Sequence, residues 1–335
     1  MEELTRNLSI FVVKKIIRLL LLLLAVSFIT YLLIRLSPID PVQAYIGADM
    51  MKVSPEQRAA IEEYWGLNES FISQYVHWLA SVITGDFGTS FIYRTPVLDV
   101  IADRFISSIL LLAVAWLLSG VIGLLLGAVA AMKQGSKTDH FIRGYCYLLL
   151  STPSFWLGLL LLMIFSVWLD WFPIGLSAPV GITTSEITIM DRLYHAILPA
   201  ITLSIIGIAN VCLHTREKMI DVLKQPYILQ ARANGLSGLA LFKRHGLRNM
   251  ILPAISVHFA SFGELFGGAV LLEQVFSYPG LGKAIVDAGL NGDVPLLLGI
   301  VVISACFVFL GNFLADMFYS LVDPRIRREK GEAGL

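Results

Sequence analysis

Residues 16–36 read IIRLLLLLLAVSFITYLLIRL, a run of 21 residues in which only Arg18 and Arg35 carry a charge. An α-helix needs about 20 apolar residues to cross a bilayer. The run is too long for the core of a cleaved signal peptide, and no small-residue cleavage site follows it. We therefore expect it to be a retained first transmembrane helix.

Five more apolar runs follow the first. Each is continuous rather than alternating, which indicates helices and not the strands of a membrane β-barrel. The composition agrees, because only 15% of the residues are charged, against about 25% in soluble domains. The sequence predicts an all-α membrane protein with six transmembrane helices, at residues 13–36, 106–132, 141–169, 194–215, 250–273 and 295–321.

Lysine and arginine set the predicted orientation, because they are enriched in cytoplasmic loops. Of the 25 such residues, 18 lie in segments that six spans would place on one side of the membrane: 1–18, 132–144, 216–249 and 324–335. We expect this side to be the cytoplasm, with both termini on it. The predicted regions are an N-terminal tail with the first helix (1–36), an extracytoplasmic insertion (37–105), a five-helix core (106–323) that includes the cytoplasmic loop 216–249, and a cytoplasmic tail (324–335).

The insertion carries local helix signals. The stretch SPEQ at 54–57 has the spacing of an N-cap, a first-turn proline and a capping-box glutamine, and it predicts a short helix. Residues 70–83 have helical periodicity, with Tyr75 and Trp78 on an apolar face, and we expect them at the extracytoplasmic membrane interface. Pro96 predicts the start of the helix that leads into the second span.

The loop 216–249 is the longest and most basic of the predicted cytoplasmic segments. Good helix formers at 230–233 are followed by Gly235, which predicts a helix C-terminus. Ser237 is placed to cap a second short helix over 239–245. A loop that only orients the chain would account for the charge but not for this spacing. We interpret it as a docking element that passes the motion of a soluble partner into the fifth span.

The pattern Ala231-x-Ala233-x-Gly235, followed by Arg248-Asn249-x-Ile251-x-Pro253, resembles the coupling loop of binding-protein-dependent ABC importer permeases. In their dipeptide, oligopeptide and nickel branch the loop reads ARAKGL and then RHALRNALIP. Here it reads ARANGL and RHGLRNMILP. Other segments resemble the same branch in the same order: RLSPIDP at 35–41, DFGTS at 86–90, EQVFSYPGLG at 273–282, DVP at 293–295 and DPRIR at 323–327.

The resemblance implies the type I ABC importer permease fold in a bacterial inner (plasma) membrane, as a multi-pass protein in contact with lipid. It implies a second homologous permease, two ATP-binding cassette subunits and an extracytoplasmic substrate-binding protein as partners. The chain would bind no cofactor, while the ATPase subunits would bind ATP and Mg²⁺. Implied coupling residues are Ala231, Arg232, Ala233, Gly235, Leu239, Phe242 and Arg248, and those of an extracytoplasmic turn are Glu273, Pro279, Gly280 and Gly282.

Two absences in the sequence agree with a transport subunit that is not itself an enzyme. The stretch GSKT at 135–138 lacks the spacing of a phosphate-binding P-loop, so the ATPase must be another chain. The net charge is zero, which implies no nucleic-acid partner. An intramembrane enzyme is less well supported, because no G-x-S-x-G or H-E-x-x-H motif occurs. An ion-driven transporter would need an inverted repeat, and none is evident.

Polar residues inside the predicted spans are the candidates for the translocation pathway, because they are costly in hydrocarbon. They are His258 and Glu264 in the fifth span and Asn210 in the fourth. The carboxylate and imidazole would suit transient contact with a divalent metal. The stretch GELFGG at 263–268 also looks closer to nickel-type permeases, since peptide-type members tend to have an apolar residue at position 264. We therefore expect nickel or a metal chelate as cargo, with di- or oligopeptides as the alternative.

Overall fold

The computed structural model describes residues 2–38, 40–46, 53–64, 68–176, 188–236, 238–241, 255, 258–259 and 261–322. The chain divides into two compact units. The first unit comprises residues 1–107 and 279–307, and the second comprises residues 108–278 and 308–335.

The described residues are almost entirely helical, and no β-strand occurs among them. This confirms the predicted all-α class. In chain order the helices are α1 (Glu2–Leu36), α2 (Pro41–Ile46), α3 (Pro55–Tyr64), α4 (Phe71–Ile83), α5 (Val97–Met132), α6 (Lys137–Leu150), α7 (Ser154–Leu162, continued by a π-helical turn at Met163–Trp168), α8 (Ile189–Leu223), α9 (Pro226–Ala233), α10 (Gly238–Leu241), α11 (Phe262–Val275), α12 (Leu281–Leu290) and α13 (Val294–Val322).

Four helical segments are long and apolar enough to cross a membrane: Val13–Leu36, Val97–Met132, Met190–Leu223 and Val294–Met317. They match the first, second, fourth and sixth predicted spans. The fifth predicted span is described only in part, as α11 and the few residues just before it. The count of six spans and the cytoplasmic position of both termini therefore stay predictions.

The third predicted span, 141–169, is not one straight helix. It is formed by α6 and α7, which are bent by 99° at the break between them. Pro153 lies in the break and has no backbone N–H to continue the hydrogen bonding of α6. The hydroxyls of Ser151 and Thr152 donate to the carbonyls of Tyr147 and Leu148, at 2.9 and 2.8 Å, and so satisfy the free end of α6. The expectation of a single helix was wrong, because Pro153 interrupts the apolar run.

The predicted insertion helices are present in the first unit. Ser54 and Gln57 form a reciprocal capping box at the start of α3, with N–H to side-chain distances of 3.0 and 3.3 Å. Tyr75 of α4 is buried against α1, where its hydroxyl lies 2.9 Å from Ser27 Oγ and its ring meets Phe28 edge to face. The apolar face predicted for residues 70–83 therefore packs on the first transmembrane helix.

The buried carboxylate of Asp293 organises the remainder of the first unit. It accepts hydrogen bonds from the Ser90 hydroxyl at 2.5 Å, from the Ile92 N–H at 3.0 Å and from the Leu296 N–H at 3.2 Å. The last bond caps the start of α13. One side chain thus fixes both the loop before α5 and the beginning of α13, which explains why the DFGTS and DVP segments occur together.

We expect Asp293→Ala to destabilise the first unit by about 2–4 kcal/mol, because it removes a helix cap and leaves a buried hydroxyl unsatisfied. The measurement is the thermal midpoint of the detergent-solubilised protein, followed by size-exclusion chromatography after heating. Asp103→Ala is the control, since Asp103 is exposed on α5. An equal midpoint for both variants would contradict the organising role of Asp293.

Candidate functional site

The predicted coupling loop begins with a short helix that ends as its sequence indicates. α9 starts with Pro226 and finishes at Ala233, and Gly235 follows with φ +85°. The N–H of Leu236 donates to the carbonyl of Ala231 at 3.1 Å, and the N–H of Gly235 donates to that of Arg232 at 2.9 Å. This is a glycine-terminated helix end. The prediction that the helix stops at Gly235 is confirmed.

One face of α9 is packed against its own chain. Ile228 and Ala231 are buried together with Leu241 of α10, and Leu223 at the end of α8 packs on this group. We call residues 226–241 the knob. Leu223 also packs on a second buried group, formed by Ala128, Ala131, Met219 and Ile220. The knob is therefore seated where α5 and α8 end.

The opposite face of α9 is exposed. Leu229 has 55% of its surface accessible, and Arg232, Ala233 and Gly235 are exposed beside it. A Cβ atom placed on Gly235 would meet no described atom within 4 Å. An apolar side chain next to small residues leaves room for the backbone of another protein.

The remaining predicted coupling residues are only partly described. Leu239 lies within α10, of which the backbone is described. Phe242 and Arg248 lie outside the described residues, as does Ser237. The predicted second helix over 239–245 is seen as α10, and its continuation stays a prediction.

A buried ion pair lies next to the knob, and the sequence alone does not predict it. Asp139 of α6 is 1% exposed and accepts two hydrogen bonds from Arg216 of α8, at 2.6 and 2.8 Å. The same carboxylate accepts the Gly135 N–H at 2.9 Å, while Ser136 caps α6. The GSKT stretch is thus the start of a helix. The S-x-x-D spacing could have revealed the cap, but no local pattern identifies Arg216.

Asn210 and Glu264, two predicted pathway residues, are brought together. The side-chain amide of Asn210 on α8 lies 3.2 and 3.3 Å from the two carboxylate oxygens of Glu264 on α11. Glu264 is exposed, and Asn210 is half-buried. The pair therefore lies at the surface of the second unit, where two helices meet.

His258, the third pathway candidate, has a different environment. It is 5% exposed, and its ring stacks on Trp116 of α5 with a centroid distance of 4.4 Å. Its Nε2 lies 2.9 Å from the Trp116 carbonyl, and Gly120 leaves the space that the ring occupies. His258 thus packs α5 against the segment before α11. Across the described residues, no group of three or more His, Cys, Asp or Glu side chains is arranged to hold a metal ion.

The predicted turn around residues 273–282 divides between the two units. In the second unit Glu273 is buried, accepts the Ser108 hydroxyl at 2.6 Å, and accepts the Tyr278 N–H at its carbonyl at 2.8 Å. Burial, together with the nearby charge of Glu273, raises the pKa of Tyr278 to about 12. In the first unit, Pro279 and Gly280 lead into α12, in which Gly282 is buried. These positions serve the folding of the turn.

Comparison with known proteins identifies the family. Residues 123–328 match the model of the binding-protein-dependent transport system inner membrane component, and residues 8–112 match the model of its N-terminal region. The chain belongs to this family. It is a multi-pass membrane permease subunit of an ABC importer, without an ATPase domain of its own, which confirms that part of the resemblance.

Several relatives of this permease are similar over nearly their whole length. The oligopeptide transport system permease AppB of Bacillus subtilis is 37% identical, over 94% of this chain and 98% of its own. The di/tripeptide permease DppB of Pseudomonas aeruginosa is 35% identical, over 91% and 95%. The dipeptide permease DppB of Escherichia coli is 33% identical, over 92% and 95%. All three names refer to peptides, so the predicted closeness to nickel-type permeases is not confirmed.

We expect the permease to lose about 3 kcal/mol of stability in Asp139→Leu or in Arg216→Met, because each variant leaves a buried charge without its partner. The double variant should recover much of that loss, since both charges are then gone. The thermal midpoints of the four proteins in detergent measure the coupling. Additive losses in the double variant would show that the two side chains act independently.

Proposed function

We propose that this permease carries di- or oligopeptides across the membrane in an ATP-driven importer. The peptide transport named for the relatives supports this cargo over nickel. The site is in keeping with it, because Glu264 and His258 have separate partners and the former is held by an amide rather than by further metal ligands. The other members of the proposed complex are a second homologous permease, two ATPase subunits and an extracytoplasmic binding protein.

The exposed face of α9 is the observation that carries the proposed mechanism. ATP binding closes the two ATPase subunits, and the face that contains Leu229, Ala233 and Gly235 moves with them. Because Ile228 and Ala231 pack on Leu223, the displacement passes to α8. The fifth predicted span continues from the same loop and moves with it. The pathway then opens to the binding protein, and hydrolysis resets it.

The docking role of Gly235 can be separated from its backbone role. We expect Gly235→Trp to abolish co-purification of the ATPase subunits and peptide uptake, because the side chain fills the space that the partner needs. Gly235→Asn keeps a residue that tolerates positive φ, so only the size of its side chain should reduce docking. Membrane insertion should be unchanged in both.

The matched control is Gly85→Trp. Gly85 also has positive φ, at +90°, and also has open space around its Cβ position, but it lies between α4 and α5. It should leave co-purification of the ATPases intact. Normal uptake by Gly235→Trp would contradict the docking proposal.

The cargo is tested with the complete complex in proteoliposomes, together with its binding protein. We expect di- and tripeptides to stimulate ATP hydrolysis and Ni²⁺, free or chelated, to leave it at the basal rate. ATP hydrolysis without the binding protein gives the baseline. Stimulation by the metal in the absence of peptide would overturn the peptide proposal.

A further inference from the structure

Glu264 is an acidic side chain on the surface of an otherwise apolar helix. α11 reads FGELFGGAVLLEQV, and Glu264 is exposed whereas Glu273 at the other end is buried. A carboxylate that faces hydrocarbon is costly. Its face of α11 is therefore expected to meet water or protein rather than lipid.

The surface beside Glu264 has room for a ligand. Gly267 follows one turn later, is exposed, and would bring a Cβ atom within 4 Å of no described atom. Leu271 is exposed one further turn along. The three residues lie at i, i+3 and i+7, which places them on one helix face. That face has a carboxylate at one end, a gap in the middle and an apolar side chain at the other end.

The facing helix continues the polar surface. Asn210, His214 and Glu217 of α8 are spaced i, i+4 and i+7, so they share one face. His214 and Glu217 are exposed, and Asn210 is half-buried by its contact with Glu264. A polar strip on a helix that is apolar enough to span a membrane is typical of a water-filled path. The strip runs from Glu264 towards the knob.

The charge of Glu264 is held but not neutralised. Asn210 donates to both carboxylate oxygens, which fixes their direction, yet an amide carries no net charge. In the part of the chain that the structure describes, no lysine or arginine forms an ion pair with Glu264. A fixed negative charge in a narrow path attracts cations and repels anions.

Resting on the proposed function, we propose that Glu264 selects peptides by charge: it favours cargo with a basic side chain and disfavours cargo with an acidic one. The recognised chemistry is an ammonium or guanidinium group that passes the recess at Gly267. Asn210 is a positioning residue, because it acts through the carboxylate. This selection is a property of the permease and adds to whatever selection the binding protein makes.

The test compares uptake of three tripeptides that differ in one side chain: Ala-Ala-Ala, Ala-Lys-Ala and Ala-Glu-Ala. Uptake by the reconstituted complex is measured for the unchanged protein and for Glu264→Gln, which has the same shape and no charge. The binding protein is the same in both, so the ratio of the two rates for each peptide isolates the contribution of the permease. Glu63→Gln is the control, because Glu63 is an exposed carboxylate at the end of α3.

We expect Glu264→Gln to lower uptake of Ala-Lys-Ala relative to Ala-Ala-Ala by about fivefold, and to raise that of Ala-Glu-Ala. Asn210→Ala should weaken the same preference without reversing it. Glu63→Gln should leave all ratios unchanged. An equal loss for all three peptides would overturn the inference and indicate a role in helix packing or coupling.

Assembly and basal uptake distinguish a failure of charge selection from a failure of the proposed function. If Glu264→Gln fails to co-purify with the second permease, the carboxylate pairs with a basic residue of that subunit, and the charge-selection proposal is wrong. If the unchanged complex takes up none of the three peptides, the proposed function fails. Uptake with unaltered ratios would leave the proposed function standing and remove only the role of Glu264.

Discussion

Close contact between α5 and α8 is the constraint on which the second unit depends. A Cβ atom on Gly123 would lie 2.7 Å from the Cβ of Val211, and one on Gly127 would lie 2.5 Å from the carbonyl oxygen of Cys212. Only glycine permits this approach. Helix association inside a membrane rests on packing of this kind, because lipid gives no hydrophobic driving force between helices. The spacing of Gly123 and Gly127 indicates a small-residue pair, and α8 is the helix that packs on it.

Several other features follow from that contact. α6 completes a three-helix core with α5 and α8, in which Cys146 and Cys212 are buried free thiols. Both cysteines therefore pack as small hydrophobic residues. The same arrangement lets Asp139 meet Arg216 where α6 begins. The close approach of two helices thus decides where a buried charge pair is possible.

What the sequence predicted well was local. The capping box at Ser54, the helix end at Gly235 and the start of α5 after Pro96 each depend on a few neighbouring residues, and all three are present. What it missed depends on residues far apart in the chain. Asp139 and Arg216 are separated by 77 positions, and Ser90 and Asp293 by 203. Neither pairing leaves a signal in either segment alone.

The candidate pathway shows the same limit at closer range. His258 and Glu264 are six residues apart, and their side chains were expected to border one lumen. The structure places the imidazole in a buried stack with Trp116, whereas the carboxylate is exposed with Asn210. A helix period states which residues share a face, but not which face is covered by a neighbouring helix. The bulk of Trp116 and the space at Gly120 decide this for His258.

The connection between the knob and α8 determines how motion can be transmitted. Only Lys224 and Gln225 separate the two helices, and the N–H of Lys224 still donates to the carbonyl of Ile220 at 3.2 Å. A two-residue link with its hydrogen bonds intact allows little independent movement. A pull on the knob must therefore displace the end of α8, and Arg216 carries the displacement to α6 through Asp139. Since α5 packs on α8 through glycine contacts that cannot slide without clashes, it must move as well. The second unit is thus built to respond as connected helices, which suits a subunit driven by a partner's ATP hydrolysis.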